Sequence, residues 1–96
     1  MSTVLLSIQA RNDLIGIKKY TIKNWGKKQS NKYIFSIRQC AKKLANYTIQ
    51  GKLRNEIASN LRSYHIGRHV IFYVEYEEGI KIARILHDSM DFRRHI

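Results

Sequence analysis

The last third of the chain alternates short hydrophobic runs with tight polar breaks. The runs are rich in β-branched and aromatic residues, which favour strands. The breaks are Gly67-Arg68 and Glu77-Glu78-Gly79, and their glycines suit the reversed turns that join neighbouring antiparallel strands. The pattern therefore predicts an antiparallel meander of three strands over residues 61–66, 69–76 and 80–86.

Upstream of the meander, hydrophobic residues repeat at the spacing of a helix. Ala10, Leu14, Ile17 and Trp25 share one side of such a helix, and Gly26 is a suitable residue to end it. The spacing therefore predicts a first helix that buries this stripe, Trp25 included.

A second hydrophobic stripe predicts a second helix. Ser30 or Asn31 is positioned to cap its first turn by accepting a bond from a free backbone N–H. A link of about four residues would then join the two helices, so they must run antiparallel as a hairpin. The buried stripe of this second helix is expected to be Ile34, Ile37, Ala41 and Leu44, broadened by Tyr33, Cys40 and Tyr47.

These elements together predict an α+β fold in a single domain, residues 1–96. Residues 3–8 are β-branched and apolar and are expected to form an N-terminal strand that joins the sheet. Residues 52–60 show no clear period and are expected to be a loop or a short helical turn. Asp88, with Asp91 three residues later, is a suitable N-cap for a short helical tail. The predicted order is β-α-α-β-β-β, with the helical hairpin packed on an antiparallel sheet.

Charge is distributed unevenly along the chain. The formal net charge is +11, and residues 1–60 contain twelve Lys or Arg against two acids. Residues 61–96 contain six Lys or Arg against five acids. Lys19, Lys23 and Lys27 are spaced four apart and are expected to form a ladder on the outer face of the first helix. The layer over the sheet is therefore basic, which indicates an acidic partner such as nucleic acid or an acidic protein segment.

The sequence gives little support to cofactor chemistry. His87, Asp91 and His95 are spaced like metal ligands on a helix, but capping already explains the aspartate, so no metal and no other cofactor is expected. The single cysteine, Cys40, cannot form an internal disulfide. The apolar run at the N-terminus is too short for a signal peptide or a membrane span, so a cytoplasmic protein without membrane contact is expected.

Several segments, taken in order, resemble the ParE branch of the RelE/ParE toxin superfamily, the toxic halves of bacterial type II toxin–antitoxin pairs. The resemblance extends over nearly the whole chain and implies the same β-α-α-β-β-β layout. It also implies a ParD-like antitoxin that wraps the toxin in a hetero-oligomer and neutralises it. The matching segments are residues 10–14 (ARNDL), Trp25-Gly26, residues 61–64 (LRSY), residues 69–73 (HVIFY) and residues 84–91 (RILHDSMD).

The resemblance leaves two targets to be distinguished. ParE-like toxins are associated with DNA gyrase, whereas RelE-like relatives cut messenger RNA on the ribosome. The arginine that the cutting relatives place in the middle strand falls at His69, and Asp88 and Asp91 occupy the segment where a substrate phosphate would lie. Because carboxylates repel phosphate, we expect a toxin that inhibits gyrase by binding, without catalysis of its own and without a small-molecule substrate.

The alternative is a ribosome-dependent endoribonuclease, a messenger RNA interferase. A base, a phosphate-binding cation and a proton donor would have to converge in it. The candidate residues for that chemistry are Lys52, Arg54, Arg62, Arg84 and His87. A third interpretation, supported by charge alone, is a small basic nucleic-acid-binding module.

Contacts to the antitoxin or to the target are expected from exposed cations and from an aromatic residue near the chain end. An aromatic flanked by guanidinium groups often anchors an interface. The candidates are Lys19, Lys23, Lys27, Arg62, Arg84, His87, Phe92, Arg93 and Arg94.

Overall fold

The computed structural model describes residues 2–96. Two long helices are followed by four strands, and one further strand precedes them. The elements are β1 (Thr3–Leu6), α1 (Ile8–Trp25), α2 (Lys27–Ala45), β2 (Lys52–Leu53), β3 (Leu61–Ile66), β4 (His69–Tyr76), β5 (Gly79–His87) and a 3-10 turn (Phe92–Arg94). The predicted α+β class and the order of the main elements are confirmed.

The strands form one sheet in the order β1-β5-β4-β3-β2. Strands β3, β4 and β5 pair antiparallel, as the meander pattern predicted, and β2 also pairs antiparallel with β3. β1 pairs parallel with β5, so the sheet is mixed rather than wholly antiparallel. The expected loop over residues 52–60 is wrong at its start, because Lys52 and Leu53 pair with Ser63 and Arg62 as a fifth strand.

The two helices meet at a single residue. Gly26 ends α1 and precedes α2 with a φ of 88°, a conformation that a residue with a Cβ rarely adopts. The predicted four-residue link and the predicted cap at Ser30 or Asn31 are therefore wrong. Ser30 is instead fully buried within α2, where its hydroxyl lies 2.6 Å from that of Thr21 on α1.

The helical hairpin covers one face of the sheet. Ile37 and Leu44 of α2 pack with Ile71, Tyr73 and Ile82 of the central strands. Cys40 belongs to this core, as predicted. Tyr47 lies beyond the end of α2 and is 50% exposed, so the prediction that it broadens the buried stripe is wrong. Because Trp25 is 52% exposed, the prediction that it is buried is wrong.

The opposite face of the sheet carries a second, smaller core. Phe72 and Leu86 are buried there beneath residues 57–58 and Phe92. The rings of Phe72 and Phe92 lie 4.7 Å apart between centroids. The predicted tail is a single 3-10 turn that folds back on the sheet, and Asp91 rather than Asp88 caps it.

Candidate partner-binding surfaces

Arg84 is held in place by an ion pair with the first helix. Its Nε and Nη2 donate to the two carboxylate oxygens of Asp13 at 2.8 and 2.9 Å. The same carboxylate accepts the backbone N–H of Ile85 at 3.0 Å, where the edge of β5 extends beyond its pairing with β1. The hydrogen bonds to Asp13 raise the pKa of Arg84. This arginine therefore fastens α1 to the sheet.

Arg62 and Arg54 are also engaged within the protein. Arg62 donates to the carbonyl oxygen of Gly51 at 2.8 Å and pairs with Glu75 at 3.3 Å. Arg54 pairs with Glu56 at 2.7 Å, and this hydrogen bond is the main reason that the pKa of Glu56 is lowered. Both guanidinium groups thus already have acceptors.

The five candidates for RNA cleavage do not form one constellation. Arg62 lies opposite Tyr73 on β4, whereas His87 lies opposite His69, four residues away along the same strand. With ~3.3 Å per residue and ~4.8 Å between strands, the Cα atoms of Arg62 and His87 are roughly 16 Å apart. Arg84 is turned toward Asp13 on α1.

The lysines of the helical hairpin behave differently from these arginines. Lys19 and Lys23 are exposed on α1, and Lys27 is exposed at the start of α2, so the predicted ladder is divided between two helices. All eight hairpin lysines are exposed, and none has a carboxylate within 4.0 Å among residues 2–96. The others are Lys18, Lys28, Lys32, Lys42 and Lys43.

Large apolar side chains interrupt this basic surface. Ile15 and Ile22 on α1 and Phe35 on α2 are 48%, 37% and 62% exposed. Helical spacing places Ile15 and Ile22 on the side of α1 that faces away from the sheet, whereas Phe35 lies beside Tyr64 and Ile66 of β3 at the edge of a cleft. The outer face of the hairpin therefore offers both positive charge and apolar contact area.

The chain end presents the remaining predicted contacts. Arg93 and Arg94 are exposed, and Arg94 lies 3.6 Å from Asp91. Phe92 is half-buried against Phe72, so it is part of the second core and is not free to anchor a partner. His87 lies at the end of β5, where its ring packs edge-on against His69 at 5.4 Å.

A cleft of about 470 Å³ lies between the hairpin tip and this end of the sheet. Sequence reasoning missed it, because its walls come from segments far apart in the chain. Trp25, Tyr20 and Met90 at its rim are 52%, 61% and 43% exposed. The other lining residues are Thr21, Arg68, His69, His87 and Ser89.

Hydrogen bonds beside the cleft determine which ring nitrogen of His69 carries the proton. The Tyr33 hydroxyl accepts the backbone N–H of Arg68 at 3.1 Å and lies 2.6 Å from Nδ1 of His69 and 3.4 Å from the carbonyl oxygen of Ile66. We assign its single proton to the shorter contact, the one with Nδ1. Burial raises the pKa of the Tyr33 hydroxyl, and burial together with His87 lowers the pKa of His69. His69 is therefore neutral at pH 7, with its proton on Nε2.

Residues 2–96 contain neither a metal-binding cluster nor a membrane-spanning helix. Their histidine, cysteine, aspartate and glutamate side chains form no group of three that could hold a metal ion. Neither α1 nor α2 is apolar enough to cross a membrane.

The fold and these surfaces define a class: a small basic protein with a helical hairpin on a mixed sheet, in which Arg54, Arg62 and Arg84 are paired with carboxylates and the hairpin lysines face outward. The sequence profile described as "ParE toxin of type II toxin-antitoxin system, parDE" matches residues 4–92. The chain belongs to this family of toxins.

Similar proteins agree with this assignment. The chain is 31% identical over 96 residues to Toxin ParE1 of Mycobacterium tuberculosis, with 99% of this chain and 98% of that protein covered. It is 32% identical over 92 residues to Toxin ParE of Escherichia coli, with 95% and 89% covered.

A solved structure supports the fold. The chain resembles one from the chromosomal ParDE toxin–antitoxin system of P. aeruginosa, with a TM-score of 0.73 and 20% sequence identity. The match covers 91% of this chain and 96% of that one. The helical hairpin on a sheet is therefore an arrangement also found in that system.

Proposed function

We propose that this toxin acts in the cytoplasm by binding DNA gyrase and that a ParD-like antitoxin neutralises it in a hetero-oligomer. The observation that carries the proposal is the contrast between the arginines and the lysines. Arg54, Arg62 and Arg84 each have a carboxylate partner, whereas the hairpin lysines have none among residues 2–96. A surface of this kind supports binding to an acidic partner more readily than phosphoryl chemistry.

The position of the aspartates also favours binding over RNA cleavage. Asp88 lies 3.1 Å from His65 and 3.5 Å from His87, so a carboxylate stands beside the histidine that a nuclease would use. Negative charge there opposes a substrate phosphate. Two of the candidate cleavage residues, Arg62 and His87, are also far apart, because the strand geometry places their Cα atoms roughly 16 Å from each other.

The outer face of the hairpin is the surface that fits the antitoxin. An acidic amphipathic segment would place carboxylates near Lys19 and Lys23 and apolar side chains near Ile15 and Ile22. The tail and the cleft remain available to the target in this arrangement.

A supercoiling assay tests the proposed target. Toxin freed of antitoxin is added to purified gyrase, relaxed plasmid and ATP. We expect loss of supercoiling or accumulation of cleaved DNA, and recovery when the antitoxin is restored. Supercoiling that proceeds unchanged at a toxin concentration that arrests growth would contradict the proposal.

Two charge-removal variants test the antitoxin surface. Lys19→Gln/Lys23→Gln removes two hairpin charges, and Lys52→Gln/Arg54→Gln removes two from the candidate cleavage set. We expect the hairpin variant to weaken antitoxin binding ~3- to 10-fold at low salt, and the matched variant to change it less than ~2-fold. Calorimetric titration with antitoxin measures both. Equal effects, or a larger effect of the second variant, would contradict this placement.

A further inference from the structure

The cleft between the hairpin tip and the end of the sheet has the structure of a small binding site. A row of aromatic rings forms one wall. Tyr20 meets Trp25 edge-on at 6.3 Å, Trp25 meets Tyr33 at 6.4 Å, and Tyr33 continues to His69 at 5.6 Å. The exposed rims of Trp25 and Tyr20 leave apolar area open to a partner.

The histidines add hydrogen-bond donors to this wall. Nδ1 of His87 accepts the backbone N–H of Ser89 at 3.2 Å and lies 2.7 Å from the Ser89 hydroxyl. Nδ1 of His69 accepts the Tyr33 hydroxyl. With both Nδ1 atoms acting as acceptors, each ring carries its proton on Nε2.

Neither of these two Nε2–H groups donates to another residue of the cleft. His69 is 9% exposed, yet no buried side-chain nitrogen or oxygen among residues 2–96 lacks a partner. The Nε2 atom of His69 is therefore accessible to solvent, and it reaches the cleft that the residue lines. Arg68, exposed and without a carboxylate partner in the described chain, lies beside it.

The cleft thus combines apolar walls with donors and one cation, and it calls for a ligand with an anionic acceptor attached to an apolar body. Asp88, which contacts His65 and His87, sets a limit on the negative charge that the site tolerates. A phosphodiester chain would bring several phosphates toward that carboxylate, whereas a peptide can bring one. Tryptophan, tyrosine and arginine are also the residues most enriched at protein–protein hot spots.

We propose that this cleft binds an acidic segment of a protein partner. An aromatic or large aliphatic side chain of the segment packs on Trp25 and Tyr20. A neighbouring carboxylate accepts hydrogen bonds from the imidazole N–H groups of His69 and His87 and from the guanidinium group of Arg68. The proposal depends on the cleft alone and does not require gyrase to be the target.

Trp25 provides a direct signal, because it is the one tryptophan in the chain and lines the cleft. Random 12-residue peptides displayed on phage are selected on the full-length protein, and enriched peptides are synthesised and titrated while Trp25 fluorescence is followed. We expect enriched sequences that pair an acid with an aromatic or large aliphatic residue within two positions, and we expect them to shift the emission of Trp25.

Matched variants separate the cleft from general electrostatics. Arg68→Gln should weaken the selected peptide ~10-fold, as expected for loss of one charge-assisted hydrogen bond, whereas Arg93→Gln, on the exposed tail, should change it less than ~2-fold. His87→Phe keeps the aromatic contact and removes the donor, so it should also weaken binding. Circular dichroism spectra confirm that each variant is folded.

Three outcomes would overturn the proposal. The first is that no peptide is enriched above an empty support. The second is enrichment of purely apolar peptides that bind Arg68→Gln and wild type equally. The third concerns a 12-nucleotide oligothymidylate. If it shifts Trp25 emission and displaces the bound peptide at a concentration lower than the peptide needs for binding, the occupant is a nucleic acid.

Discussion

Replacing Asp13 with alanine tests whether Arg84 has a structural role. The carboxylate of Asp13 accepts two hydrogen bonds from Arg84 and one from the backbone N–H of Ile85. Alanine removes the two oxygens that accept these three hydrogen bonds, at a point where β5 pairs with β4 but has no strand on its other side. The Nε and Nη2 donors of Arg84 and the backbone N–H of Ile85 would then lose these partners, while Nη1 of Arg84 keeps its hydrogen bond to the carbonyl oxygen of His95 at 2.8 Å.

The magnitude follows from the exposure of these groups. An unsatisfied buried donor costs ~1–3 kcal/mol, and more when it is charged. The side chains of Arg84 and Asp13 are 22% and 14% exposed, so water recovers part of that cost. We therefore expect Asp13→Ala to lower the free energy of unfolding by about 3 kcal/mol. That is a large part of the ~5–15 kcal/mol typical of a domain.

Urea titration followed by Trp25 fluorescence and by far-ultraviolet circular dichroism measures the change. Asp13→Asn retains an acceptor for the Ile85 N–H and loses the charge, so it should cost about half as much. In a double-mutant cycle with Arg84→Met, the two costs should be strongly non-additive. A loss below ~0.5 kcal/mol for Asp13→Ala, or additive costs, would refute the structural role of Arg84.

Two further predictions concern stability. In Gly51→Ala, the added Cβ would lie 2.5 Å from the backbone oxygen of Ser63. We therefore expect the urea midpoint of unfolding to fall by an amount equivalent to ~1–3 kcal/mol. An unchanged midpoint would contradict this contact. The pKa of His69 is below its ordinary value of 6.5, so the unfolded chain takes up this proton first as the pH falls. Stability should therefore decrease from pH 6.5 downward through the folded pKa, by at most about 1.4 kcal/mol per pH unit. His69→Gln should flatten the dependence of unfolding free energy on pH below 6.5, and an unchanged profile would contradict the assignment.

Local patterns predicted the parts of the fold that local chemistry determines. The meander follows from strand-forming runs and short turns, and Gly26 was correctly identified as the end of α1. β2 was missed because its two residues are too few to show a period. Trp25 was misplaced because helical spacing gives the side of a helix but not how far the covering surface extends.

The candidate site was less predictable, because its residues are brought together over long distances in the chain. Arg84 and Asp13 are 71 residues apart, and Tyr33 and His69 are 36 residues apart. Residue type alone suggested that Arg54, Arg62 and Arg84 were available for catalysis, whereas the fold gives each of these three a carboxylate. The exposed lysines could be anticipated from composition, since residues 1–60 contain only two acids.

One paired measurement distinguishes a binding toxin from a cutting one. The same preparation of toxin is added in parallel to gyrase with relaxed plasmid and to ribosomes translating a defined messenger RNA, with Lys52→Gln/Arg54→Gln as the control variant. We expect supercoiling to fail with both proteins while the transcript stays intact. The proposed mechanism would be contradicted if the wild type cleaved the transcript, the variant did not, and supercoiling proceeded unimpaired.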